Sequence, residues 1–193
     1  MRRFIAVLPF LACAVCALAQ NTKIDSKRMD AIHEATVARL RTQIDVWFDR
    51  GDYPRLTQCL RYLATAEPGD YEAQTDLGWM LENMERYDEA LAVYMRYRKA
   101  FPNQPDAAFP EAYFYFTHRA YAKVPPLLEP TLEAHPHPDS FRILAHAYDR
   151  LGLLADSKRT WEALIAWHPN DLAAKANLEK VVKKINGQSH TAR

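Results

Sequence analysis

The stretch Tyr71–Gln104, YEAQTDLGWMLENMERYDEALAVYMRYRKAFPNQ, decides the fold. Leu77, Met80, Leu81 and Met84 recur at helical spacing in its first half, and Ala90, Leu91, Val93, Tyr94 and Tyr97 do so in its second, with Arg86-Tyr87-Asp88 between. Apolar residues at every third or fourth position on both sides of a polar break specify two amphipathic helices joined by a turn. Pro102 ends the second helix, because proline has no amide donor and biases the preceding residue away from helical geometry.

Outward from this hairpin, the prolines keep time. Pro68, Pro102 and Pro136 stand 34 residues apart, and Pro169 follows at 33. A fixed interval of this size marks stacked helix-turn-helix units, each burying its apolar stripe against its neighbours. The units are predicted at about 37–70, 71–104, 105–138 and 139–170, with Asp70, Asn103, Asp139 and Asp171 placed to cap the helix that follows each proline. Helix signals dominate and strand signals are nearly missing, so the predicted class is all-α.

The residues of 71–104 resemble a tetratricopeptide repeat. Leu77-Gly78 matches the family's Leu-Gly pair, Tyr87 its turn aromatic, Ala90 the small residue opposite Gly78, Tyr94 its second-helix aromatic and Pro102 its terminal proline. The unit ending at Pro68 matches at Trp47, Gly51-Asp52-Tyr53, Leu60 and Leu63, but Gln43-Ile44 replaces Leu-Gly and Leu56 the small alanine. The unit ending at Pro169 matches at Leu144-Ala145, Tyr148, Leu151-Gly152 and Trp161, with Ser157 in place of alanine. The resemblance implies a right-handed α-solenoid of three or four hairpins.

The unit ending at Pro136 departs most. Prolines suit a helix's first turn and break its interior, so the first helix is predicted from about Pro110 to Tyr121 and the second from near Pro125, with a bend at Pro130. Residues 171–186, with Leu172, Leu178, Val181, Val182 and Ile185 on one side, are predicted as a C-terminal capping helix that Asn186-Gly187 stops, leaving 187–193 disordered. At the other end, Ser26–Arg50 fits either one long first helix or a short extra helix before the first repeat, and residues 20–36 form an N-terminal helical extension.

Arg2 and Arg3 precede an apolar run from Phe4 to Leu18 that ends in Ala17-Leu18-Ala19. This reads as a signal peptide, 1–19, and so as an exported protein, periplasmic or secreted. An uncleaved anchor and a lipid anchor at Cys13, after Leu11-Ala12, are the alternatives. Loss of Arg2 and Arg3 leaves 23 basic against 24 acidic residues, a formal charge of −1. Charges of both signs alternate, which argues against a nucleic-acid partner. Cys13 and Cys16 belong to the leader. Cys59 is then the lone thiol, predicted buried and inert beside Leu56, Leu60 and Leu63.

No Gly-rich phosphate loop, G-x-S-x-G turn or H-E-x-x-H helix occurs, and no cofactor is implied. His135 and His137 flank Pro136, but no third metal ligand is evident nearby. The expected function is therefore non-catalytic. In tetratricopeptide arrays the first helices line a concave face, and carrying those positions over gives Arg41, Asp45 and Phe48, then Thr75, Trp79, Glu82 and Asn83. Phe109, Tyr113, Phe116 and Thr117 follow, and then Arg142, His146, Asp149 and Arg150. The resemblance implies a trough for a peptide or partner helix, with aromatic rings in the middle and arginines orienting a carboxylate at one end. The Lys/Asn/Arg carboxylate clamp of some chaperone-binding members is mostly missing here, with Arg142, His146 and Asn177 its only echoes. The alternative function is a structural accessory that self-associates or docks by its convex side.

Overall fold

The computed structural model describes the backbone of residues 8–191 and the side chains of 25–187. Among the described residues there is no strand. The helices are α1 (Leu8–Asp49), α2 (Tyr53–Ala66), α3 (Tyr71–Asn83), α4 (Tyr87–Ala100), α5 (Phe109–Thr117), α6 (Pro125–Leu128), α7 (Pro138–Arg150), α8 (Leu154–Trp167) and α9 (Leu172–Thr191). Short 3₁₀ segments at Tyr121–Lys123 and Glu129–Ala134 flank α6. The four periodic prolines each follow the second helical stretch of a unit, two residues after Ala66, Ala100, Ala134 and Trp167. The chain divides into two compact units, Met1–Leu63 and Ala64–Arg193.

In the first unit, α1 is continuous, so the long first helix is the form adopted. The expected leader lies partly outside the described residues. No helix among the described residues is long and apolar enough to cross a membrane. Gly51 turns the chain into α2 with φ +69°, and α2 buries Leu56, Leu60 and Leu63 at spacings of four and three. Cys59 lies one residue off that stripe and is half-buried rather than buried. Burial pushes its thiol pKa up, which disfavours the reactive thiolate.

In the second unit, α3 packs on α4, α7 on α8 and α8 on α9, while α5 contacts α4, α6 and α7. The core is a succession of local clusters. One joins Ala112, Val124, Leu128, Leu144 and Tyr148, with Phe116 and Tyr121 packed against it. The next joins Phe141, Ala145, Trp161, Leu164, Ala174 and Val181. Each cluster is made by successive elements, as stacked hairpins require.

The turns inside the hairpins repeat one backbone design. Gly51, Glu85, Arg119 and Gly152, at intervals of 34, 34 and 33, all have positive φ, between 59° and 76°. Each donates its N–H to the carbonyl three residues back, and the next residue donates to the carbonyl five back from itself. Glu85 N bonds Glu82 O at 2.9 Å and Arg86 N bonds Leu81 O at 2.8 Å, and Arg119 N–Phe116 O and Ala120 N–Tyr115 O repeat this at 3.0 and 2.8 Å. This is the paired closure of a Schellman motif, which satisfies carbonyls orphaned at a helix end.

Three expectations are corrected. α5 ends at Thr117 rather than Tyr121, because the closure at Arg119 stops it and the His118 Nδ1–H donates to the Phe114 carbonyl oxygen at 2.8 Å. α6 is one turn long, since Pro130 has no N–H to return to Pro126, and the chain tightens into the 3₁₀ segment. α9 runs through Asn186-Gly187 to Thr191. Gly187 is not among the positive-φ glycines, so it makes no left-handed stop. Along α9, Leu172 is 77% exposed, and Ala174 instead joins Leu178, Val181 and Ile185 on the packed side.

Of the predicted caps, Asp70 Oδ1 accepts from Ala73 N at 3.1 Å and Asp171 Oδ1 from Ala174 N at 2.9 Å. Asn103 caps nothing, because α5 begins only at Phe109, after an N-cap at Ala108 that makes no side-chain cap bond. Asp139 falls inside α7, whose N-cap is His137.

Candidate functional site: an aromatic groove between α3 and α5

Helical spacing places Tyr71, Thr75, Trp79 and Glu82-Asn83 along one face of α3, and Phe109, Tyr113 and Thr117 along one face of α5. These faces form the walls of an open groove of about 610 Å³, with Tyr87 and Tyr94 from α4, Pro110 and His118 completing its lining. Pro110 in the first turn of α5 supplies a φ already suited to helix, and the Phe109, Tyr113, Thr117 register follows from that start.

Three of the groove's rings stand open to solvent: Trp79 is 48% exposed, Tyr113 46% and Tyr87 43%. Phe109 stacks on Tyr113 with centroids 5.8 Å apart. Tyr87 meets the His118 ring edge-on at 5.0 Å, and His118 in turn lies on Phe114 at 4.1 Å. Several aromatic faces are thus held in place by their neighbours, which lowers the ordering cost of any ligand they contact.

At the floor, Tyr94 Oη donates to Glu82 Oε1 at 2.8 Å. Burial pushes the Tyr94 pKa far up, and accepting carboxylate and nearby acidic charge, Asp76 included, add to the rise. Tyr71 is raised as well, chiefly by burial and then by Asp106. Both phenols therefore remain neutral hydrogen-bond donors across the physiological range.

Of the residues predicted for the trough, Thr75, Trp79, Glu82, Asn83, Phe109, Tyr113 and Thr117 converge here. Phe116 does not. It packs against the cluster around Ala112 and Leu144 and meets Tyr121 at 5.3 Å. Arg41, Asp45 and Phe48 share a face of α1 in the first unit, where Phe48 lies edge-on to Tyr53 at 6.2 Å.

At the basic end, Arg142 and His146 are committed to other contacts. Arg142 forks between Asp139 Oδ1 and Asp171 Oδ2, both at 2.6 Å. His146 is half-buried and edge-on to Trp161 at 5.0 Å, and burial lowers its pKa. Arg150 is exposed at the end of α7. Asp149, beside it, is bound by Lys184 Nζ at 2.6 Å. His135 lies edge-on to Trp167 at 4.8 Å while the His137 ring accepts from Asp139 N at 3.4 Å.

Tyr71, Tyr87, Tyr94, Pro110 and His118 were not among the expected groove residues. Tyr71 was legible in principle, four residues before Thr75 on the same helix face. Tyr87 and Tyr94 were legible only as structural aromatics of the second helix, and they serve both roles.

Solved structures similar to this chain share one architecture. MamA from Desulfovibrio magneticus RS-1 is 20% identical, over 81% of this chain and 89% of that one, with a TM-score of 0.62. A tetratricopeptide repeat protein from Parabacteroides merdae ATCC 43184 is 17% identical, over 79% of this chain and 60% of that one, with a TM-score of 0.64. The first TPR of Spaghetti (RPAP3), bound to the HSP90 peptide SRMEEVD, is 20% identical over 58% of this chain and 90% of that one, with a TM-score of 0.53. Neither a family model nor a curated protein matches the chain. The protein has the tetratricopeptide-repeat fold.

Proposed function

We propose that the protein is a non-catalytic interaction scaffold of the bacterial cell envelope, which holds an extended peptide segment of a partner protein in the α3/α5 groove. The observation that carries this reading is the convergence of Trp79, Tyr113 and Tyr87, all more than 40% exposed, on a single groove. Large exposed aromatics grouped in this way mark binding surfaces, where they supply most of the contact energy. The peptide-bound structure of the Spaghetti repeat supports the same use of the fold.

Export is supported by the N-terminal sequence alone: two arginines, an apolar run and a small-residue ending. Mass spectrometry of the protein recovered from envelope fractions tests it, with a chain beginning at Gln20 expected and one retaining Met1 counting against it.

The groove is tested by capture. Trp79→Ala and Tyr113→Ala should each reduce recovery of partner proteins from envelope extracts by about tenfold or more, the usual scale for an interface anchor. Both residues are half-exposed, so thermal unfolding should change little. Unchanged capture by both variants rejects the groove.

A further inference from the structure

We propose that the peptide segment enters the groove through a cationic side chain, an arginine or a lysine, which lies against the aromatic walls with Glu82 as its counter-charge. This rests on the reading of the groove as a peptide site and adds the chemical class of its occupant.

The sign of charge in the groove is one-sided. Glu82 supplies a carboxylate, and no lysine or arginine is among the lining residues. The basic lining side chain is His118, whose Nδ1–H is spent on the Phe114 carbonyl oxygen. Asp76 and Asp106 add negative potential at Tyr94 and Tyr71, where each helps to raise the phenol pKa. Two of the flanking arginines are held elsewhere, Arg86 by Glu89 and Arg98 by Glu111, both at 2.6 Å. A carboxylate ligand would meet the like charge of Glu82 and no lysine or arginine in the lining.

The aromatic lining fits the same occupant. Ring faces carry negative quadrupole charge and attract ammonium and guanidinium groups, while the methylene stem of either residue covers apolar surface. Glu82 Oε1 already accepts from Tyr94. A carboxylate has about four lone-pair sites over its two oxygens, so it can accept from a ligand N–H as well. Asn83, beside it, supplies an amide for the peptide's own polar groups.

The test uses the full chain labelled with ¹⁵N and three peptides, Ac-Leu-Xaa-Leu-Xaa-Leu-NH₂, with Xaa as Arg, Gln or Glu. Binding is read from the Trp79 indole N–H resonance, assigned with Trp79→Phe. The arginine peptide should bind about tenfold more tightly than the glutamine peptide, and the glutamate peptide more weakly than either. Glu82→Gln, which keeps an acceptor for Tyr94, should remove most of the preference for the arginine peptide over the glutamine peptide. An equal or tighter glutamate peptide, or an arginine preference untouched by Glu82→Gln, overturns the cationic assignment while the groove stands. No Trp79 shift with any of the three overturns the groove as well.

Discussion

Tyr94 fills the space that any side chain at Gly78 would need. A Cβ at Gly78 would lie 2.7 Å from Tyr94 Oη, with the ring carbons closer still. The ring is buried and tied to Glu82, so it cannot swing aside cheaply. Alanine would improve helix propensity by about 1 kcal/mol, but overpacking of this kind costs about 2–3 kcal/mol. Gly78→Ala should therefore lower stability by about 1–2 kcal/mol in urea unfolding. In a Tyr94→Leu background the same substitution should be neutral or stabilising, and equal losses in both backgrounds would show that Tyr94 is not the obstacle.

The left-handed turn residues are not all glycine. Glu85 and Arg119 hold φ 59°, a conformation that costs a residue with a Cβ about 1–2 kcal/mol. Glycine would remove that strain at the expense of a more flexible unfolded chain. Glu85→Gly and Arg119→Gly should each raise stability by about 0.5–1 kcal/mol, and Gly152→Ala should lower it by a similar amount. Urea midpoints moving in the opposite sense would contradict the shared turn design.

Asp171 caps α9 and holds Arg142, and these two contacts, the backbone bond from Ala174 first, keep its pKa below the ordinary carboxylate value. A folded pKa below the unfolded one means that the native state binds fewer protons. The stability it contributes is complete above the unfolded value of about 3.9 and is lost as pH falls through the lower folded one. Asp171→Asn keeps a capping oxygen but not the charge facing Arg142. The variant should be about 1 kcal/mol less stable at pH 7, a figure discounted because Arg142 is 35% exposed. The gap should close below about pH 4. A gap independent of pH would assign the loss to packing.

Ser157 replaces the alanine usual at its place in the repeat, and its Oγ is buried with no hydrogen-bond partner among the described residues. An unpaired buried hydroxyl costs about 1–3 kcal/mol. Ser157→Ala should raise the unfolding free energy by about 1 kcal/mol. A loss on thermal or urea unfolding would reveal a partner for the hydroxyl in solution.

The hairpin register could be read before any coordinates because Pro68, Pro102, Pro136 and Pro169 act locally, each ending the helix that precedes it. Glycine turns were visible for the same reason. The turns at Glu85 and Arg119 were not, since nothing local distinguishes a glutamate or arginine forced into left-handed backbone by the hairpin that closes around it. Trp79, Phe109 and Tyr113 were legible as groove residues because helix spacing alone puts them on one face. The fate of Arg142 depended on Asp171, 29 residues away. Phe116 was misplaced because helix phase left two neighbouring positions, 116 and 117, competing for one face, and packing around Ala112 and Leu144 chose between them.

Because the two apolar clusters described in the second unit are drawn from successive elements along the chain, folding there can advance like a zip, with little loop entropy spent on bringing distant segments together. Loosening can likewise begin at α9, the last helix, which packs chiefly on α8 and is tied to α7 by Lys184–Asp149 and Arg142–Asp171. Amide exchange should then grade from quick at the C-terminus to slow around Leu81 and Val93, a gradient that a protein with a single shared interior would not display.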